Sequence, residues 1–139
     1  MYHGLRYAIP TMLAGGGGTI VNISSGAATS ALEGWSHYCA TKAAVLALTR
    51  VADLEYRSQG IRVVGLSPGT VATCMQEQIK ASAINPVSRL EWSSHIPPQW
   101  VAQAIAWLTT KEADLFLGSD FSLKTNEGRR AVGLPAIVA

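Results

Sequence analysis

The segment that decides the fold is "TIVNISSGAATSALEGWSHYCATKAAVLALTRVADLEYRSQGIRVVGL", residues 19–66. Its first five residues, 19–23, form a short segment rich in β-branched side chains with almost no polar alternation, as expected of a strand buried on both faces. Residues 61–66 read as a second buried strand. Between the strands, a loop rich in serine, glycine and alanine precedes a predicted helix over about 37–58, with Ser36 as its N-cap. A helix joining two buried strands predicts a parallel pairing.

The rest of the chain continues the same alternation of helix and strand. The predicted elements are a helix over 2–13 with a kink at Pro10, a short helix and loop over 70–83, an irregular segment over 84–96, a helix over 97–110 and a final strand over 114–125. This order indicates an α/β fold with a parallel sheet of about three strands and flanking helices.

The composition limits the classes of partner. Apolar residues make up 48% of the 139 residues and charged residues 14%, with a mean hydropathy of +0.20. That leaves little polar surface for a compact monomer, so we expect either a homo-oligomer or a chain that lacks part of its fold. The net charge is +2 and Arg129–Arg130 is the only adjacent basic pair, so no nucleic-acid partner is expected.

Cysteine usage and hydropathy suggest a reduced compartment. Cys39 and Cys74 are far apart with no metal-ligand spacing, so we expect neither a disulfide nor a metal site. The apolar run near the N-terminus contains Pro10 and lacks a cleavage motif, which argues against a signal peptide. No apolar stretch approaches the roughly 20 residues that span a bilayer. We therefore expect a cytoplasmic protein without a membrane partner.

Residues with catalytic chemistry follow both strands. Ser25 stands at the end of the first strand, Tyr38 thirteen residues later and Lys42 four beyond that, while "PGTVAT", residues 68–73, follows the second strand. Four residues are about one helical turn, so Tyr38 and Lys42 share a helix face. Taken alone, this pair is also typical of a lysine stem lying beside an amphipathic ring. In parallel sheets, however, reacting groups collect beyond the carboxyl ends of the strands.

The ordered set resembles the short-chain dehydrogenase/reductase family over residues 18–73. The family's active site uses a serine, a Tyr-x-x-x-Lys helix and a Pro-Gly turn that touches the nicotinamide. The resemblance implies a truncated Rossmann-like fold and a reaction that interconverts an alcohol and a ketone by hydride transfer with NAD or NADP. The small-molecule substrate would enter beside residues 74–96, whose Met75, Ile79, Ile84 and Trp92 favour an apolar alcohol or ketone.

The resemblance also implies the role of each residue. Tyr38 would be the general acid/base, and Lys42 would hold the nicotinamide ribose. An ammonium about 4 Å from a phenolate stabilises it by up to about 4 kcal/mol at an effective dielectric of about 20. Ser25 would donate to the substrate oxygen, whereas Ser24 should point the other way. The nicotinamide pocket would be lined by Pro68, Gly69, Thr70, Val71 and Thr73.

Other family features are not found in the sequence. The cofactor cradle T-G-x-x-x-G-x-G is missing, the "GGGG" at 15–18 stands before a strand rather than after one, and Asn22 lies within a strand and cannot be the family's catalytic asparagine. The missing portion is on the order of 100 residues. We therefore expect residues 1–139 to form one domain, the C-terminal portion of the family fold, with weak or no activity alone.

Two other interpretations remain open at this stage. The chain could be a cofactor-free pseudoenzyme that acts as a helix-mediated association module, since small residues at 40, 43, 44 and 47 allow close helix approach. In relatives this helix and the preceding one commonly form a dimer interface. Alternatively, Ser24 or Ser25 could be a nucleophile served by His37, although no G-x-S-x-G elbow is present. The sequence does not decide between NAD and NADP.

Overall fold

The computed structural model describes residues 1–137 and contains a sheet of three parallel strands. The strands are β1 (Gly18–Ile23), β2 (Ile61–Ser67) and β3 (Asp120–Ser122), in the spatial order β1-β2-β3. The register pairs Val21 with Val64 and Leu66 with Phe121. The predicted α/β fold with a three-stranded parallel sheet is confirmed.

Five α-helices flank the sheet within the described residues: α1 (Tyr2–Ala14), α2 (Ser36–Tyr56), α3 (Cys74–Ser82), α4 (Pro98–Leu108) and α5 (Asn126–Ala131). The helix α1 continues through Pro10. The prediction that Ser36 caps α2 is wrong, because the helix begins one residue earlier: Cys39 N donates to Trp35 O, and Trp35 takes the N-cap position. None of these helices is both long enough and apolar enough to cross a bilayer.

Alternate residues of β2 build two cores on the two faces of the sheet. Ile61 and Val63 pack towards α1 and α2, where Leu5, Ile9 and Ala52 complete one apolar cluster. The intervening residues of β2 join the opposite cluster, which contains Val64, Leu66, Ala104, Leu108, Phe121 and Leu123. Because side chains alternate across a strand, β2 is the element that both helix layers share.

The strand β1 is less buried than its sequence predicts. It lies at an edge of the described sheet, most of its residues are only half-buried, and Ile23 is 40% exposed. The expectation that both strands are buried on both faces therefore holds for β2 and is wrong for β1. An apolar run in the sequence predicts that a strand is suited to burial on both faces. The exposed fraction of that strand depends on which neighbouring strands pair with it.

The predicted final strand over 114–125 is shorter and begins later than expected. Residues Lys111–Phe116 form 3-10 turns, and only Asp120–Ser122 pair with β2. The alternation of polar and apolar residues in this segment does not reflect a strand. Asp114 faces outward and accepts a hydrogen bond from Arg62 Nε at 2.8 Å, and Leu115 next to it is exposed as well. Gly118, at φ +70°, then redirects the chain into β3.

We expect the core around α4 to carry a large share of the stability. Leu108→Ala should lower the free energy of unfolding by about 2–5 kcal/mol, because Leu108 is fully buried and its truncation leaves a cavity. The matched control is Leu115→Ala, which truncates an exposed leucine and should change stability by less than about 0.5 kcal/mol. Urea denaturation followed by circular dichroism measures both. Equal losses for the two variants would contradict this assignment of the core.

Candidate functional site

A cavity of about 790 Å³ lies at the carboxyl ends of β1 and β2. Its walls come from the loop after β1, the first turn of α2, the turn after β2 and the helix α3. The apolar lining residues are Leu32, Trp35, Met75, Ile79, Ile84, Val87, Leu90, Ile96, Leu123 and Ile137. A concave, mainly apolar space with a few polar groups is typical of a small-molecule site.

The two serines after β1 lie in different environments. Ser25 lines the cavity in an extended conformation, and its Oγ accepts a hydrogen bond from Ala27 N at 3.2 Å. Ser24 is buried, and its Oγ has no hydrogen-bond partner among the described residues. Neighbouring residues of an extended chain point to opposite sides. Because the Ser25 hydroxyl already accepts, its own hydrogen can be donated into the cavity.

Tyr38 reaches the same cavity from the first turn of α2. Its side chain is half-buried and lies edge-on to Trp35, with ring centroids 5.5 Å apart and an interplanar angle of 72°. Such edge-to-face contacts are favourable and restrict the ring. The structure thus brings Ser25 and Tyr38 together on one cavity.

Lys42 lies beside Tyr38 rather than in the cavity wall. Its Nζ donates to Ile23 O at 2.9 Å and lies 5.7 Å from the centroid of the Tyr38 ring. The lysine therefore connects α2 to the end of the edge strand β1. This bond fixes a positive charge next to the phenol ring, on the helix face that the sequence spacing predicts.

Besides Tyr38 and Lys42, five cofactor-binding residues are predicted in the Pro-Gly turn and just after it, and the structure separates these five into two groups. Pro68, Gly69 and Thr70 line the cavity. Gly69 has a φ of +83°, and a Cβ added there would lie 3.0 Å from Cγ of Lys124, so the turn closely approaches that side chain. Val71 forms a single bridge with Ile96 and packs on the core, while Thr73 is exposed at the start of α3; neither lines the cavity.

A half-buried carboxylate beneath the site was not found from the sequence. Ser67, the residue before the Pro-Gly turn, donates through Oγ to Asp120 Oδ2 at 2.6 Å. Burial raises the pKa of Asp120, while the hydrogen bond from Ser67 and the charges of Arg50 and Lys42 oppose the rise. No local motif marks Asp120, because its contact with Ser67 depends on the pairing of β2 with β3.

Two cations on the cavity wall were also missed. Lys124 and Arg129 both line it, and within residues 1–137 no carboxylate does. Arg129 donates through Nε to Leu123 O at 2.9 Å, and its guanidinium lies 5.2 Å from the Trp100 ring centroid. The sequence shows only that basic residues occur in the C-terminal part of the chain. The fold is what brings Lys124 and Arg129 to the cavity.

His37 also lines the cavity, but the contacts of Ser25 do not favour a serine nucleophile. The hydroxyl of Ser25 bonds to the backbone N of Ala27, and no hydrogen bond joins His37 to either serine in the part of the chain that the structure describes. A nucleophile and its base should lie within hydrogen-bond reach of each other. The contacts of the described residues therefore do not pair His37 with a serine nucleophile.

Comparison with known proteins gives consistent results. A family model described as "short chain dehydrogenase" matches residues 1–83. Cyclohexanol dehydrogenase from Acinetobacter sp. (strain SE19) is 34% identical over 124 residues, which cover 87% of this chain and 47% of the relative. The chain thus spans about half the length of this relative.

Two solved structures share the fold. The structure titled "ElxO with NADP Bound" has a TM-score of 0.71 and 27% identity, covering 88% of this chain and 51% of that one. The structure titled "4-hydroxyisoleucine dehydrogenase complexed with NADH and succinate" has a TM-score of 0.67 and 26% identity, covering 87% and 51%.

Asp120 predicts a pH-dependent stability. Its folded pKa is raised, so its contribution to stability is fully present below its unfolded pKa and is lost as the pH rises through the folded value. Asp120→Asn keeps an acceptor for Ser67 and removes the half-buried charge. The variant should therefore have a higher Tm than the wild type at neutral pH, and the difference should vanish below about pH 4.

Thermal unfolding followed by circular dichroism across a pH series measures this difference. Glu55→Gln, which neutralises an exposed carboxylate on α2, is the control and should give a difference near zero throughout. A lower Tm for Asp120→Asn at neutral pH would show that the charged form is the stable one in the fold.

Proposed function

The chain belongs to the short-chain dehydrogenase family, and from that membership we propose that its residues form the substrate and nicotinamide end of an NAD(P)-dependent oxidoreductase. The reaction is the interconversion of an alcohol and a ketone by hydride transfer. The observation that carries the proposal is that Ser25 and Tyr38 share one cavity, with the ammonium of Lys42 held 5.7 Å from the phenol ring. The NADP and the NADH bound in the two similar structures support this cofactor class.

The residues of the cavity fit the nicotinamide end of such a cofactor. Gly69 has no Cβ, and this lets the backbone of the turn lie close to the side chain of Lys124, which lines the same cavity. Pro68 and Thr70 would flank the nicotinamide ring, and Lys42, which lies beside the cavity next to Tyr38, would hold the ribose hydroxyls. When bound, the nicotinamide supplies or accepts the hydride.

Tyr38 is proposed to move the proton. Its Oη donates to the substrate oxygen in the direction of ketone reduction and accepts from it in alcohol oxidation. The ammonium of Lys42, 5.7 Å from the centroid of the Tyr38 ring, would place a positive charge beside the phenol during this transfer. Ser25 donates its hydroxyl hydrogen to the same substrate oxygen and stabilises the charge that develops there.

The other end of the cofactor needs groups that this part of the chain does not offer. The glycine run at 15–18 joins α1 to the amino end of β1, whereas the cavity lies beyond its carboxyl end. Within the described residues, no turn of the form T-G-x-x-x-G-x-G follows a strand. We propose that the 139-residue chain alone binds NADH and NADPH weakly, because helix N-termini with glycine-rich turns grip the diphosphate.

The cavity walls favour an apolar alcohol or ketone. Met75, Ile79 and Ile84, which the sequence assigns to the substrate segment, line the cavity, whereas Trp92 packs edge-on against His95. The similarity to a cyclohexanol dehydrogenase supports a substrate of this chemistry.

The acid/base role can be tested in a hybrid with the N-terminal half of cyclohexanol dehydrogenase fused before this chain. Tyr38→Phe should abolish alcohol oxidation, followed by nicotinamide absorbance, and leave cofactor affinity nearly intact, because it removes the proton path and little contact surface. Lys42→Met should weaken both turnover and cofactor binding. Ser25→Ala should lower kcat by about 100-fold or more, as the loss of an oxyanion donor does.

Ser24→Ala is the matched control for Ser25→Ala, since it removes the same hydroxyl from a neighbouring residue that does not line the cavity. It should be much milder than Ser25→Ala. Retained turnover in Tyr38→Phe, or a larger effect at Ser24 than at Ser25, would contradict the proposed roles.

We also propose that the chain forms a homo-oligomer through α2. A stripe of small and apolar side chains is exposed on that helix, at Ala40, Ala44, Ala47, Val51 and Leu54. The steps of three and four residues place them on one face. The edge strand β1 adds unpaired backbone groups that invite pairing. This surface is also what the alternative function, a cofactor-free association module, would use.

Disruption of the stripe should change the size of the species in solution. Ala47→Glu places a charge at the centre of the stripe and should shift sedimentation velocity profiles towards the monomer. Ala102→Glu, an identical change at an exposed position of α4, is the control and should leave the profile unchanged. A monomeric wild type at concentrations of about 10 µM or more would contradict the proposal.

A further inference from the structure

The helix α3 buries a polar residue and exposes the apolar residue next to it. Its one buried residue is Gln76, which is 8% exposed, while Met75 beside it is 57% exposed. Glutamine is usually at the surface and methionine usually inside. Both side chains line the cavity at the carboxyl ends of the strands. A helix that serves only the fold would bury its apolar side instead.

The carboxamide of Gln76 lacks a partner. Its Oε1 is shielded from solvent and has no hydrogen-bond partner among residues 1–137. Buried polar groups in native proteins are nearly always hydrogen-bonded, and an unpartnered one weakens the fold. A group that is kept buried and unsatisfied on the wall of a cavity is suited to pairing with a ligand.

We infer that Gln76 is a specificity-determining residue that binds a second hydroxyl group on the substrate, away from the reacting carbon. The inference rests on the proposed function, which places the reacting carbon beside Ser25 and Tyr38. The substrate class is therefore an apolar ring or chain that carries two hydroxyls, or one hydroxyl and one ketone. The apolar walls bind its body and Gln76 binds its second oxygen.

A hydroxyl fits this amide better than other groups do. Rotation about the last side-chain torsion of glutamine is broad and exchanges the amide oxygen and nitrogen, so the group can accept or donate. A hydroxyl can do both, whereas a carboxylate could use only the nitrogen. Lys124 and Arg129 are the cations on the cavity wall that would favour a carboxylate. They belong to the chain after β3 and to α5, and not to α3.

Equilibrium binding to the 139-residue chain tests the inference without turnover. Cyclohexanol, its three isomeric classes of cyclohexanediol and 3-hydroxycyclohexanecarboxylate are titrated, and dissociation constants are taken from NMR shift changes. At least one diol should bind about tenfold more tightly than cyclohexanol. Gln76→Met should remove that preference and leave cyclohexanol within about twofold, because only the polar contact is lost.

Gln78→Met, the same change at an exposed position of the same helix, is the matched control and should keep the preference for the diol. Circular dichroism establishes that each variant folds, and the side-chain NH₂ signals of Gln76, identified by their loss in Gln76→Met, should shift with the diol. Equal weakening of all ligands in Gln76→Met would give the residue a structural role and overturn the inference. So would a failure of every ligand to bind, or selectivity for the carboxylate that survives Gln76→Met.

These outcomes are independent of the hydride-transfer proposal. Suppose that the diol preference depends on Gln76 and that Tyr38→Phe keeps full activity in the hybrid. That result would contradict the proposed acid/base role of Tyr38 and would support the inference about Gln76. Loss of turnover in Tyr38→Phe without any diol preference would support the acid/base role of Tyr38 and contradict the inference about Gln76.

Discussion

The structure depends on the parallel pairing of β2 with a strand on each side. Parallel neighbours cannot be joined by a tight turn, so the chain leaves the carboxyl end of β1, runs back through α2 and re-enters the sheet at β2. That connection forces the first turn of α2 to lie near the end of β1. Ser25 and Tyr38 meet on one cavity for this reason, although thirteen residues separate them.

The interface between α2 and the sheet is more polar than its core position suggests. Asn22 Nδ2 of β1 donates to Thr49 Oγ1 of α2 at 2.9 Å, whereas Ser67 bonds to Asp120 within the sheet. Hydrogen-bonded polar pairs of this kind fix the register of a helix over a sheet more narrowly than apolar contacts do. The Ser67–Asp120 bond also anchors the chain directly before the Pro-Gly turn, so the floor of the site is tied to β3.

The polar groups at the cavity have two different proposed roles and lie on different elements. Ser25, Tyr38 and the nearby Lys42 stand at the strand ends, where a substrate oxygen and a nicotinamide would meet. Gln76 lies on α3 and belongs to the part of the chain that follows the Pro-Gly turn. The sheet and α2 therefore position the residues proposed to act in the reaction. The residue proposed to select the substrate, Gln76, lies on a short helix whose sequence can change without disturbing the sheet.

The sequence alone determined the order of the elements, the parallel sheet and the pairing of Tyr38 with Lys42, because each follows from local periodicity or from short spacing within one helix. The family was expected from the resemblance of residues 18–73 as an ordered set. Tertiary structure decided the rest. The exposure of β1, the late start of β3, the bond between Ser67 and Asp120 and the burial of Gln76 all depend on contacts between distant residues. The predicted cofactor residues show the same division: Gly69 reaches the cavity, whereas Val71, two positions later, is drawn into the core by its bridge to Ile96.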